Sequence, residues 1–168
     1  MKNWLDEEAA MRRKAAPAGV ANLEQLRGST GLEILQKVGG GELPPPPIAE
    51  LIDFVPIEVE HGRIVFQGTP GWQHYNPSGV VHGGYAATLL DTAVGGAIQS
   101  TLAAGIGFTT LELKVNYVRP MTEKTGPVRA EGKVISAGKQ VAIAEGRIVD
   151  AVGRLYAHAT TTCMVFPI

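Results

Sequence analysis

With a single cysteine, Cys163, the 168-residue sequence excludes an intramolecular disulfide and a cysteine-built metal site, and suits a reducing compartment. Cys163 alternates with Thr161 and Val165 in a strand-like run, so its thiol reads as packed rather than reactive. Net charge is equally scarce: 15 Lys and Arg against 16 Asp and Glu leave -1, which gives no electrostatic reason to expect nucleic acid or an anionic membrane as partner. No apolar run approaches the ~18 residues of a membrane span. Residues 1–14 carry charges throughout where a signal peptide would be apolar, so the expected location is the cytoplasm. His61, His74, His82 and His158 are scattered without the spacing of a zinc site, so neither metal nor other cofactor is expected.

What is present is an ordinary globular composition, 45% hydrophobic and 18% charged. Its length suits one domain that buries roughly two-thirds of its unfolded surface. Leu23, Leu26, Leu32, Leu35 and Val38 recur at helical spacing, which predicts a helical segment from Met1 to about Gly41. Pro44 to Pro47 then read as a stiff extended spacer. Residues 1–47 are thus expected to form an N-terminal extension and residues 48–168 the main domain.

In that domain, Ile48 to Phe54 fits a short helix or a strand, and the turn His61-Gly62 joins two early strands. Gly71 to Gly79 is too rich in breakers for regular structure. From His82 to Leu102 the sequence becomes an apolar helix with almost no polar face, and a helix apolar nearly all round is normally buried. Four strands follow, Thr110 to Val118, Val128 to Ser136, Val141 to Val149 and Leu155 to Phe166, with links short enough to require antiparallel neighbours. A curved sheet wrapped around one central helix, the α+β arrangement called a hotdog, satisfies this order.

Chemistry concentrates between Asn76 and Asp91. His82-Gly83-Gly84 stands where loop becomes helix, so unpaired N–H groups and the positive end of the helix dipole point outward, a setting for a developing oxyanion. Glycine there also lets a ligand approach the backbone. Asp91 lies two turns further on, where an isolated carboxylate would cost several kcal/mol. Its helical neighbours include Gly84, Ala87, Thr88 and Gly95, a mainly small stripe that leaves room for substrate; Gly95-Gly96 suggests that something passes close to that backbone. Eight residues at the helical rise separate Gly83 from Asp91 by roughly 12 Å. That is too far for one reacting carbon, so if both serve one reaction, the Gly83 of one subunit must work with the Asp91 of another.

Asn76, His82-Gly83-Gly84 and Asp91 together resemble the pattern of the phenylacetate-degradation type of hotdog thioesterase. The likeness runs from about Ile48 to Phe166, through Asn116-Tyr117-Val118-Arg119-Pro120, Gly138-Lys139, Gly153-Arg154-Leu155 and Ala157-His158-Ala159. It implies acyl-CoA as substrate and a site at a subunit interface. The Gly83 N–H would hold the thioester oxygen, with Asn76 supporting that group or the adjacent loop. Asp91 would act as general base or as nucleophile, and a hydroxyl at the start of the next strand, Thr110 or alternatively Thr109, would position water. His82 is a rival base, or else shapes the turn that presents Gly83. Arg119 and Lys139 are candidates for the CoA phosphates.

A homodimer is expected, and a tetramer built from two dimers stays open. Tyr75, Trp72 and Phe54 are candidates to line an aryl pocket, so aryl and medium-chain acyl groups are both retained. The competing readings are a hotdog dehydratase or hydratase and a non-catalytic acyl-CoA-binding module. His-Gly-Gly followed by Asp at this spacing favours hydrolysis.

Overall fold

A computed structural model describes residues 2–168, and Met1, the first residue of the expected extension, lies outside them. The elements in chain order are helices α1 (Lys2–Lys14), α2 (Leu23–Arg27), α3 (Gly31–Gly40) and α4 (Pro47–Ile52), strands β1 (Phe54–Glu60) and β2 (Arg63–Gly68), and helix α5 (Gly83–Gln99). Strands β3 (Ile106–Tyr117), β4 (Val128–Ala137), β5 (Val141–Asp150) and β6 (Leu155–Pro167) complete the chain. The six strands make one sheet in the order β1-β2-β4-β5-β6-β3, every neighbouring pair antiparallel. Curled around α5, this sheet is the hotdog arrangement that the sequence leads one to expect.

The helix sits so deep because the sheet makes room for its backbone. Gly132 and Gly146 are direct partners on β4 and β5. A Cβ at 132 would lie 2.1 Å from the Ala93 carbonyl oxygen, and one at 146 would lie 2.8 Å from Val94 Cγ1. Leu89, Leu90, Ala93, Val94, Ala97 and Ile98 are fully buried. Each large member of that set contributes about 1.5–3 kcal/mol by leaving water.

One expectation needs correction here: α5 is not covered all round. Gly83, Gly84, Ala87, Thr88, Asp91 and Thr92 are only part-buried. Their paired spacing follows the helical repeat, so they form a continuous open stripe of small and polar residues. Strand β3 is likewise open along one side, pairing with β6 alone among the described strands. It is the long edge of the sheet, 12 residues, with Leu111 exposed on it.

The N-terminal helices break where the sequence carries breakers: α1 stops at Lys14, before Pro17 and Gly19, and α2 and α3 are separated around Gly28. A capping box between Thr30 and Glu33 starts α3, and Gly41, at φ 81°, ends it. The expected four-proline spacer is shorter than the sequence suggests, because Pro46 caps α4 and Pro47 is its first residue, a place where a missing N–H costs nothing. Glu7 and Glu8 of α1 hold Arg129 of β4 and Gln67 of β2. Gly31 of α3 abuts the end of α5 and donates its N–H to the Leu102 carbonyl at 3.0 Å. No helix among the described residues is long and apolar enough to cross a membrane.

Candidate active site

The approach to α5 is a loop held by its own polar groups. Asn76 Oδ1 accepts the N–H groups of Ser78 at 2.9 Å and Val80 at 3.3 Å, while its backbone N–H donates to the Val80 carbonyl at 2.8 Å. His82 N–H donates to the His74 carbonyl at 2.7 Å, and Val81 N–H to the Met121 carbonyl at 2.9 Å. The chain therefore enters α5 at a fixed angle.

At the helix start His82 is the N-cap, and its Nδ1 accepts the Gly84 N–H at 2.8 Å. That bond occupies the lone pair a histidine base would use, and leaves the ring's proton on Nε2. Tyr85 N–H is taken by the His82 carbonyl at 3.0 Å. The Gly83 N–H alone in this first turn has no acceptor within the chain among the described residues. Glycine at 83 does not leave bare backbone, as the sequence reading supposes: a Cβ there would meet the Tyr117 ring at 3.0 Å. Tyr117 closes over that side and donates its hydroxyl to the Gly83 carbonyl at 3.2 Å. Val80, His82, Gly83, Tyr117, Arg119 and Tyr156 border a cavity of about 400 Å³.

Two turns along the open stripe, Asp91 is part-buried and not sealed in the core. Its Oδ1 accepts a hydrogen bond from Thr110 Oγ1 at 3.1 Å. Of the two threonines that the sequence leaves in question, Thr110 makes this contact, while Thr109 is exposed on the same cavity wall. A bulge at Leu111 follows immediately, as the pairing shifts from Thr110 opposite Cys163 to Glu112 opposite Thr162. Cys163 Sγ stands 3.9 Å from Thr110 Oγ1. Burial, with the Asp91 carboxylate nearby, pushes its thiol above the usual range and keeps it protonated.

Asp91 and Thr110 open into a cavity of about 530 Å³. The Gly95-Gly96 pair has a packing explanation that the sequence does not reveal. A Cβ at 95 would meet the Phe108 ring at 3.2 Å, and one at 96 would meet Ile64 at 3.2 Å, so the chain's own side chains press on that backbone.

The Asp91 and Gly83 cavities share no lining residue. Within one chain, then, the two groups face different spaces, which agrees with their separation of roughly 12 Å along the helix. Gly84 and Thr88 lie on the stripe between them and line neither cavity; the Thr88 carbonyl accepts the Thr92 hydroxyl at 2.8 Å. Arg119 borders the Gly83 cavity, donating to the Leu155 carbonyl at 3.1 Å and standing over the Tyr156 ring. Lys139 lies in the exposed β4–β5 turn and lines neither space. Of the three aromatics considered for an acyl pocket, only Phe54 lines the Asp91 cavity. Trp72 is 75% exposed, and Tyr75 uses its hydroxyl to accept the Glu123 N–H at 3.0 Å. Sequence reasoning overlooks Tyr117 at Gly83 and the contribution of residues before 48 to the Asp91 cavity.

Comparison with known proteins covers the same ground. A family model described as the thioesterase superfamily matches residues 78–157. A Saccharolobus solfataricus protein named as an esterase is 34% identical over 112 residues, covering 67% of this chain and 78% of that protein. A Ralstonia eutropha crystal structure, described as a thioesterase related to phenylacetic acid degradation, is 28% identical with a TM-score of 0.70, covering 80% of this chain and 98% of the other. A Streptococcus mutans protein solved with acetyl CoA bound, 24% identical with a TM-score of 0.62, covers 68% of this chain and 89% of its own; it shows the shared fold.

Proposed function

Because this chain belongs to the thioesterase superfamily, we propose that it hydrolyses acyl-CoA thioesters to free acid and CoA at two sites shared between the chains of a homodimer. The observation that carries this reading is the pairing of Asp91 with Thr110 in one cavity while Gly83, whose N–H has no acceptor among the described residues, lines another.

In the proposed mechanism the thioester carbonyl oxygen accepts the Gly83 N–H of one protomer, at the positive end of α5. Negative charge developing on that oxygen is stabilised by a donor that needs no reorganisation, an effect of about 2.7–4 kcal/mol in comparable sites. Asp91 of the other protomer takes a proton from water as it attacks the carbonyl carbon. The Thr110 hydroxyl donates to Asp91 Oδ1 and accepts a long contact from the Cys163 thiol, which leaves it one lone pair to hold that water. Collapse of the tetrahedral intermediate breaks the C–S bond and expels CoA thiolate, which takes up a proton. Direct attack by the Asp91 carboxylate, giving a mixed anhydride that water then cleaves, uses the same geometry. His82 serves as the N-cap that leaves Gly83 free, and Asn76 holds the loop before it. Gly84 and Thr88 lie along the substrate's path between the two half-sites, and Arg119 meets the CoA phosphates.

The uncovered stripe of α5 and the unpaired edge of β3 support the dimer, since a second copy placed along β3 would cover both. The single buried, unpaired cysteine supports a cytoplasmic setting. The test is a panel of acyl-CoAs incubated with a thiol reagent, with sedimentation in the same buffer. The expected result is thiol release by a dimer or larger assembly, with no hydration of an enoyl-CoA. Loss of enoyl absorbance without thiol release would overturn the assignment, and a fully active monomer would overturn the shared sites.

A further inference from the structure

We infer that the N-terminal segment forms the far wall of the acyl pocket and selects a medium-length alkyl chain of about ten carbons over a single aromatic ring. This rests on the thioesterase reading for the identity of the substrate, and on the cavity alone for the identity of the wall.

The Asp91 cavity is built from three parts of the chain. α5 and β3 contribute Asp91, Thr92, Thr109 and Thr110, which bring most of its polarity, and Phe54, Phe66 and Phe108 give it aromatic sides. Much of the remaining wall comes from residues before 48, among them Val20, Ile34, Leu35, Val38 and the Pro44 to Pro47 turn. Every lining residue from that segment is apolar. A thioester placed with its carbonyl carbon near Asp91 therefore finds apolar surface for its tail chiefly on α3 and the prolines.

That wall is held in place. The Thr30–Glu33 capping box fixes the first turn of α3, and the Gly31 N–H bond to Leu102 ties that turn to the chain just after α5. Gly19 N–H donates to the Pro45 carbonyl at 2.9 Å, and the prolines themselves have little conformational freedom. A wall that does not yield sets a length limit on what it faces.

Volume decides between the acyl classes. A cavity of roughly 150 Å³ lined by Leu, Ile and Phe is enough for benzene. The space here is about 530 Å³. A lone ring would leave most of it unfilled, whereas an alkyl chain of roughly ten carbons fills it once the thioester, the attacking water and the open mouth are allowed for.

The experiment compares wild type with Val38→Phe and Ile34→Phe, each of which pushes a ring into the pocket from the N-terminal wall. Two readouts are taken on the full-length protein, alongside its unfolding temperature: hydrolysis of acetyl-CoA, benzoyl-CoA and decanoyl-CoA, and calorimetric binding of 1-decanol, chosen because it brings no second carboxylate against Asp91. Wild type should prefer decanoyl-CoA to benzoyl-CoA. In at least one Phe variant kcat/KM for decanoyl-CoA should fall about tenfold or more beyond any fall for acetyl-CoA, and decanol binding with it, while an unfolding temperature near wild type reports an intact fold. An unchanged chain-length profile, or decanol that fails to bind wild type or binds both variants equally well, would overturn the inference. Decanol that binds wild type and is excluded by the variants, with no acyl-CoA hydrolysed, would uphold the pocket and refute the thioesterase reading instead.

Discussion

Replacing Asp91 with asparagine should lower kcat by about 100-fold or more on any acyl-CoA that the wild type hydrolyses. The substitution keeps the shape of the side chain and an oxygen able to accept the Thr110 hydroxyl, which lies 3.1 Å from Asp91 Oδ1. What it removes is the basic and nucleophilic character of the carboxylate, so both versions of the proposed mechanism fail together. Asp91 is part-buried, faces a cavity and makes no ion pair among the described residues, so its loss should leave the unfolding temperature near wild type. Turnover and thermal unfolding of the same preparation separate the two effects. Wild-type kcat in Asp91→Asn would remove the carboxylate from the reaction.

The second large effect concerns a backbone atom, which only proline can delete. Gly83 is the first residue of α5, the position where proline is best tolerated. His82, at φ -59° and ψ 138°, already has the conformation that a residue before proline prefers. The obstacle is Tyr117, whose ring would stand 3.0 Å from a new Cβ. Gly83→Pro is therefore made in a Tyr117→Ala background, with Tyr117→Ala alone as reference. Loss of the single oxyanion donor should reduce kcat by about 100- to 1000-fold relative to that reference. An unchanged kcat would mean that the thioester oxygen is held elsewhere.

The order of elements is legible in the sequence because its determinants are local. The apolar run after His82 reads as a helix although its open stripe does not show, and Gly62 and Gly153, both with positive φ, stand at the strand turns that the sequence marks. The order of strands in space is less legible, since pairing β2 with β4 and leaving β3 at the edge are choices made by tertiary packing. The start of β3 is read late, at Thr110 instead of Ile106, because Gly105 and Gly107 look like a loop. The Asp91–Thr110 contact is legible only through the family resemblance, which implies a hydroxyl at the start of the strand after α5; strand register then favours Thr110 over Thr109. The pocket wall is not legible. Leu32, Leu35 and Val38 show that α3 needs an apolar partner, but periodicity cannot name that partner. Tyr117 is invisible for a related reason: an aromatic at a strand end carries no sign of the glycine it covers 34 residues away.

The division of each site between two chains is tested most directly by complementation. Chains carrying Asp91→Asn and chains carrying Gly83→Pro with Tyr117→Ala are co-expressed with different tags, and the mixed dimer is isolated through both. One of its two sites then combines an intact Gly83 from the first chain with an intact Asp91 from the second, and the other site has neither. The mixed dimer should recover about half the wild-type turnover per dimer, although both parent homodimers are nearly inactive. A mixed dimer no more active than its parents would contradict the shared site.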